Sequence, residues 1–142
     1  MEALAALSGV ELIIHAGDIG SPEVLDRLRA IAPVIAVRGN IDKGAWAVEL
    51  PQTEVLDVGG VTLYVIHDLS QLDLDPAVAG LDAVIAGHSH RAKLETRNGV
   101  LYLNPGSAGP RRFSLPLSLA RLEIADAKVT ARIVELHPGG VA

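Results

Sequence analysis

The residues able to do chemistry in this chain collect at the ends of apolar runs. "VELIIHAGD" ends in Asp18, "VIAVRGN" in Asn40, "LYVIHD" in His67, and "DAVIAGHSH" in His88 and His90. Histidines spaced i, i+2 point the same way along extended chain. Carboxylate, amide oxygen and imidazole together suit a divalent first-row metal such as Mn, Fe, Ni or Zn. With zero cysteines, thiolate metal sites, cysteine nucleophiles and disulfides are all excluded. Gly17, Gly39 and Gly87 precede or adjoin three of these residues, where backbone must turn sharply or approach a ligand closely.

Each apolar run is short and continuous, the pattern of a strand buried on both faces. In α/β sheets, ligands bind off the carboxyl ends of such strands, so the strand ends are expected to converge on one rim. "SPEVLDRLRAIA" predicts a helix with Ser21 as N-cap, Pro22 at its first position, and an apolar stripe of Val24, Leu25, Leu28 and Ile31. "EALAALSG" reads as the last turns of another helix closed by Gly9, and "DPAVAGL" as a short helix capped by Asp75. Hairpins are expected through Gly59-Gly60 and Asn98-Gly99, and "SLARLEIADAKVTARIVEL" reads as a final antiparallel pair. Alternating helix and strand followed by a β-rich second half predicts an α/β sandwich.

Composition is consistent with a well-filled core. The chain has 142 residues, 49% of them hydrophobic and only 3% aromatic, so Ala, Val, Leu and Ile must fill the interior. No linker divides it, and residues 1–142 read as a single domain. The net charge is −5 with no Lys or Arg runs, which argues against nucleic-acid binding. No apolar stretch reaches the ~18 residues of a membrane span and no basic leader precedes one, so a cytoplasmic location is expected. His15 reads as a hydrogen-bonded structural residue or one that supports a ligand. His137 reads as part of a solvated tail, and the Arg111-Arg112 pair as a solvated loop pair, with contact to a phosphate as the alternative.

In this order, "HAGD", "VRGNID", "VIHD", "AGHSH" and "YLNPGS" resemble the calcineurin-like metallophosphoesterases, nearest the small bacterial and archaeal phosphodiesterase subfamily. The resemblance implies a four-layer αββα sandwich, a two-metal site, and hydrolysis of a small phosphodiester or phosphomonoester. It makes Asp18 the bridging ligand, gives Asn40, His67 and His88 to the second metal, and His90 to the first. Asn40 would also orient the phosphate, and Asp42 would act in catalysis by holding an imidazole or water; a turn aspartate is the alternative. Asn104 is expected to fix its loop. The family's first strand, ending in Asp-x-His, has no counterpart here, and Ile41 stands where larger relatives place a proton-donating histidine. The expectations that follow are at most one tightly bound metal per chain, weakened hydrolysis, and self-association through the strand edge near residues 11–18. The alternative function is a non-catalytic metal-binding or protein-interaction scaffold of the same fold, as in a retromer subunit.

Overall fold

The computed structural model describes residues 9–40, 42–89, 92–106 and 118–135. Strands β1 (Ile13–His15) and β2 (Val34–Ala36) form a parallel pair with Ile13 opposite Val34. Between them runs helix α1 (Pro22–Arg29). A five-stranded sheet follows in the order β3-β4-β5-β7-β6. It comprises β3 (Thr53–Val58), β4 (Val61–Ile66), β5 (Ala83–Ala86), β6 (Lys93–Arg97) and β7 (Val100–Asn104). The three central strands β4, β5 and β7 are parallel, and β3 and β6 close the edges in antiparallel register. The hairpin β8 (Ser118–Ala125) and β9 (Lys128–Glu135) completes the described chain.

The layers follow from the apolar faces. Val61, Leu63, Val65, Ala83, Ile85 and Leu103 present one face of the five-stranded sheet to Ala16 and Val37, with Leu122, Ile124, Val129 and Ile133 of the β8–β9 hairpin packed alongside. This is sheet on sheet. Leu28 of α1 packs with Ile13 and Ala32 over the outer side of the β1–β2 pair. The far face of the large sheet, with Tyr64, Ile66, Val84 and Ala86, is covered by Leu69, Leu72 and Leu81. The mixed α/β sandwich expected from the sequence is therefore present. Among the described residues β1 hydrogen-bonds to β2 alone, and its other edge is where the sequence predicts self-association.

Local readings held unevenly. The two predicted hairpins form as expected, with Gly59, Gly60, Asn98 and Gly99 all at positive φ, as a two-residue primed turn demands. The helix expected at "DPAVAGL" is a single turn instead. The Asp75 carboxylate accepts from the Ala77 and Val78 amides, and Leu81 N–H reaches Pro76 O before any second turn forms. Ser21 sits at the N-cap without a side-chain hydrogen bond, and Val24 is exposed while Leu25 and Leu28 are buried. A one-turn helix α2 (Ala45–Val48) was not expected; it places Trp46 and Leu50 against Ile19, Leu25 and Ala36. The segments "EALAALS" and His137 lie outside the described residues.

One turn is poorly matched to its sequence. Asp126 and Ala127 join β8 to β9 with φ of +54° and +57°. Left-handed backbone costs an alanine roughly 1–2 kcal/mol, partly offset in a glycine variant by the roughly 0.4–1 kcal/mol of extra unfolded-chain entropy. Ala127→Gly should therefore stabilise the protein by up to about 1 kcal/mol. Thermal melts check this, and a lower midpoint in the glycine variant would contradict the turn assignment.

Candidate metal centre

Two parallel pairs of strands, one in each sheet, deliver their following residues to one place. After β1 the chain runs through Ala16 and Gly17 to Asp18; after β2, through Gly39 to Asn40; His67 follows β4, and His88 follows β5 by one glycine. The loops are stitched together by backbone: Gly87 N–H donates to His67 O at 2.9 Å, and Val37 N–H to His15 O at 3.1 Å.

Two glycines make that approach sterically feasible. A Cβ on Gly17, which has φ +102°, would lie 2.5 Å from His67 Nδ1. A Cβ on Gly39 would collide with the Asp18 backbone nitrogen and carboxylate. Two of the candidate residues are themselves unusual, since Asp18 has φ +58° and His88 φ +70°. Ser89 N–H donates back to Gly87 O at 2.8 Å, so His88 is the central residue of a γ-turn of the rare, strained hand. Such strain costs of order 1–3 kcal/mol per residue and persists where the surroundings enforce it.

Those surroundings are specific. Asn104 donates through its amide to Gly87 O at 3.0 Å and to Ser89 Oγ at 2.9 Å, while its own oxygen accepts from Gly106 N–H at 2.9 Å. It thus brackets His88 and fixes the loop, as the sequence suggested. Asp42 is buried, and both its oxygens accept backbone amides, from Gly20 at 2.9 Å and Gly39 at 2.8 Å. Its carboxylate ties the loop after Asp18 to the loop before Asn40. His15 Nδ1 accepts from Gly17 N–H at 3.1 Å. Burial, ahead of the opposing charges of Asp42 and Asp18, pushes the His15 imidazole below its ordinary pKa, which keeps that acceptor available.

The chemistry centres on His67. Its Nδ1 lies 2.7 Å from Ala16 O, and a carbonyl can only accept, so Nδ1 carries the proton. The neutral ring then presents Nε2 as a lone pair. That nitrogen is buried, has no hydrogen-bond partner among the described residues, and faces Asp18 Oδ2 at 3.4 Å. One ligand atom each from Asp18, His67 and His88 lies within 4.8 Å of the other two. Ligands around one ion at ~2.1 Å stand about 3–4 Å apart, so the residues present fit a divalent cation. The His67 and His88 rings meet edge to face, with centroids 5.2 Å apart.

Asn40 is exposed and lines the same cleft as His67. His90, Ile41, Arg111 and Arg112 lie outside the described residues. One residue near the centre went unread in the sequence. Asp68 places Oδ2 3.9 Å from His88 Nε2, and its other oxygen accepts from the Ser70 hydroxyl at 2.8 Å and amide at 3.0 Å. The Ser70 hydroxyl bond, together with the Ser70 amide bond, holds this carboxyl below the usual range. The available signal was its position next to His67 in "VIHD".

Comparison with known proteins places the chain in a family. The calcineurin-like phosphoesterase superfamily domain matches residues 1–127. A probable metallophosphoesterase of Methanocaldococcus jannaschii is 35% identical over 92% of this chain and 69% of its own length. Another from Methanothermobacter thermautotrophicus is 34% identical over 91% of this chain and 78% of its own. Among solved structures, Vps29 of Entamoeba histolytica complexed with Zn2+ superposes with a TM-score of 0.73 at 25% identity, covering 94% of this chain and 87% of that one. The family match over most of the chain and the identity to these relatives agree: the chain belongs to the calcineurin-like phosphoesterase superfamily.

Proposed function

We propose that this chain is a metal-dependent phosphoesterase acting on small phosphodiesters or phosphomonoesters. The observation that carries the reading is the buried His67 Nε2, which has no partner among the described residues and faces the Asp18 carboxylate at 3.4 Å. A buried polar group left unpaired costs roughly 1–3 kcal/mol, and a cation between these groups removes that cost. Asp18, His67 and His88 would hold the ion, with Asn40 as a further ligand. Manganese, iron, nickel and zinc all suit the donor set, and His90 would serve a second ion. A divalent cation held there would supply Lewis-acid polarisation of a phosphoryl oxygen and a lowered pKa for water.

The chain's own residues do the rest. Nδ1–H of His67, held by Ala16 O, keeps Nε2 aimed inward, the arrangement in which a carbonyl fixes the tautomer of a ligand histidine. The Asn40 amide orients the phosphate. Asp42 positions the loops of Asp18 and Asn40 through two backbone amides. Asn104 holds His88 in its strained turn.

Metal and activity are separable in the test. Zinc or manganese content per chain, with hydrolysis of bis-p-nitrophenyl phosphate, should show about one tightly held ion at the Asp18, His67 and His88 site, together with measurable turnover. Asp18→Asn keeps a residue that tolerates left-handed backbone while removing the charge, and should abolish the bound ion with a drop of about a hundredfold or more in rate. Retained metal and rate in that variant would contradict the assignment. Metal binding with no hydrolysis of any phosphoester would favour the scaffold reading.

Asn104→Leu removes both hydrogen bonds that bracket His88. Loss of such supporting bonds typically weakens a metal site about 10–100-fold. Equilibrium dialysis should show that decrease while the circular dichroism spectrum stays native, and unchanged affinity would show that the His88 turn holds itself.

A further inference from the structure

Next to the metal centre lies a cleft of about 500 Å³, and its lining bears on what is esterified to the phosphate. It runs from Asn40 and His67 to the start of β3 and the end of the 3₁₀ turn Leu69–Gln71, so it lies beside the proposed ion and shares His67 with it. Arg38, Gln52, Thr53, Tyr64, Gln71 and Asp73 contribute to its walls. None of these six side chains has a hydrogen bond or ion pair among the described residues, in contrast to Asp42 and Asn104, which are fully engaged nearby.

Resting on the phosphoesterase reading, we propose that this cleft receives a neutral, hydroxyl-rich alcohol, a polyol or sugar, as the organic part of the substrate. Three features of the lining point there. First, amides and hydroxyls of Gln52, Thr53, Tyr64 and Gln71 both donate and accept, which matches alcohol groups that also do both. Second, Arg38 and Asp73 bring opposite charges, so the walls add no net charge to attract a second phosphate or an ammonium group. Third, the one aromatic wall residue besides His67, Tyr64, is 92% buried, the complement of its 8% exposure. Its ring packs with Ile66 and Val84 in the core, which leaves little face on which a nucleobase or phenyl group could stack.

Unpaired polar walls also discriminate by penalty. A phenyl ester filling this cleft would strip water from several donors and acceptors and return no hydrogen bonds, which is the basis of strong selection by polar sites.

The test is calorimetric titration of the manganese-loaded full chain with glycerol 3-phosphate, phenyl phosphate and thymidine 5′-phosphate. Glycerol 3-phosphate should bind about tenfold or more tightly than either competitor. Gln71→Leu and Tyr64→Phe should each shrink that preference several-fold; the phenylalanine keeps the packed ring, so loss of fold does not explain its effect. Equal or tighter binding of phenyl phosphate or thymidine 5′-phosphate would overturn the proposal, as would a preference unchanged in both variants. Selective binding with no hydrolysis of glycerol 3-phosphate or of any other phosphoester tried would uphold the cleft's selectivity while overturning the phosphoesterase reading.

Discussion

The hydrogen bond from His67 Nδ1 to Ala16 O, 2.7 Å long, is the contact on which the site depends. It joins the two sheets, because Ala16 follows β1 and His67 follows β4. It also decides which ring nitrogen is protonated, and therefore which one is left to face Asp18. Without Gly17 the two chains could not come this close, since any Cβ there would lie against the same imidazole. A packing constraint between layers and a chemical constraint on a ligand are thus met by one bond.

Around that bond the protein holds two residues in left-handed backbone, Asp18 and His88. Each is held from outside its own strand. Asp42 reaches from the β2 loop to the amides of Gly20 and Gly39, and Asn104 reaches from β7 to both sides of His88. The site therefore draws on four strand ends for its groups and on further residues for their orientation. Loops alone would not hold side chains closely enough, whereas parallel strands with buried flanks supply rigid origins.

The strands and hairpins were legible because their signals are local. Continuous apolar runs marked the buried strands, and Gly59-Gly60 and Asn98-Gly99 marked their turns. The convergence of Asp18, His67 and His88 was legible from the rule that ligands gather at strand carboxyl ends. What escaped was set by tertiary context. The α2 turn at Ala45–Val48 is too short for a periodic pattern, and is positioned by Trp46 and Leu50 packing beneath α1. The stretch after Asp75 carried a good start signal but no room for a second turn before Leu81 enters the core. Asp68 could not be distinguished from a turn residue until the His88 ring was seen 3.9 Å away. The engagement of both Asp42 oxygens by amides is likewise a product of folded geometry.

The central claim is that His67 keeps its proton on Nδ1 and offers Nε2 to a cation shared with Asp18 and His88. Long-range proton–nitrogen correlation spectra of the imidazoles, recorded before and after adding one equivalent of zinc, test it at the atom concerned. The account predicts a His67 ring protonated at Nδ1 throughout, with its Nε2 resonance and that of His88 shifted by zinc while His15 keeps its tautomer. A His67 ring protonated at Nε2, or an Nε2 resonance unmoved at saturating zinc, would contradict it.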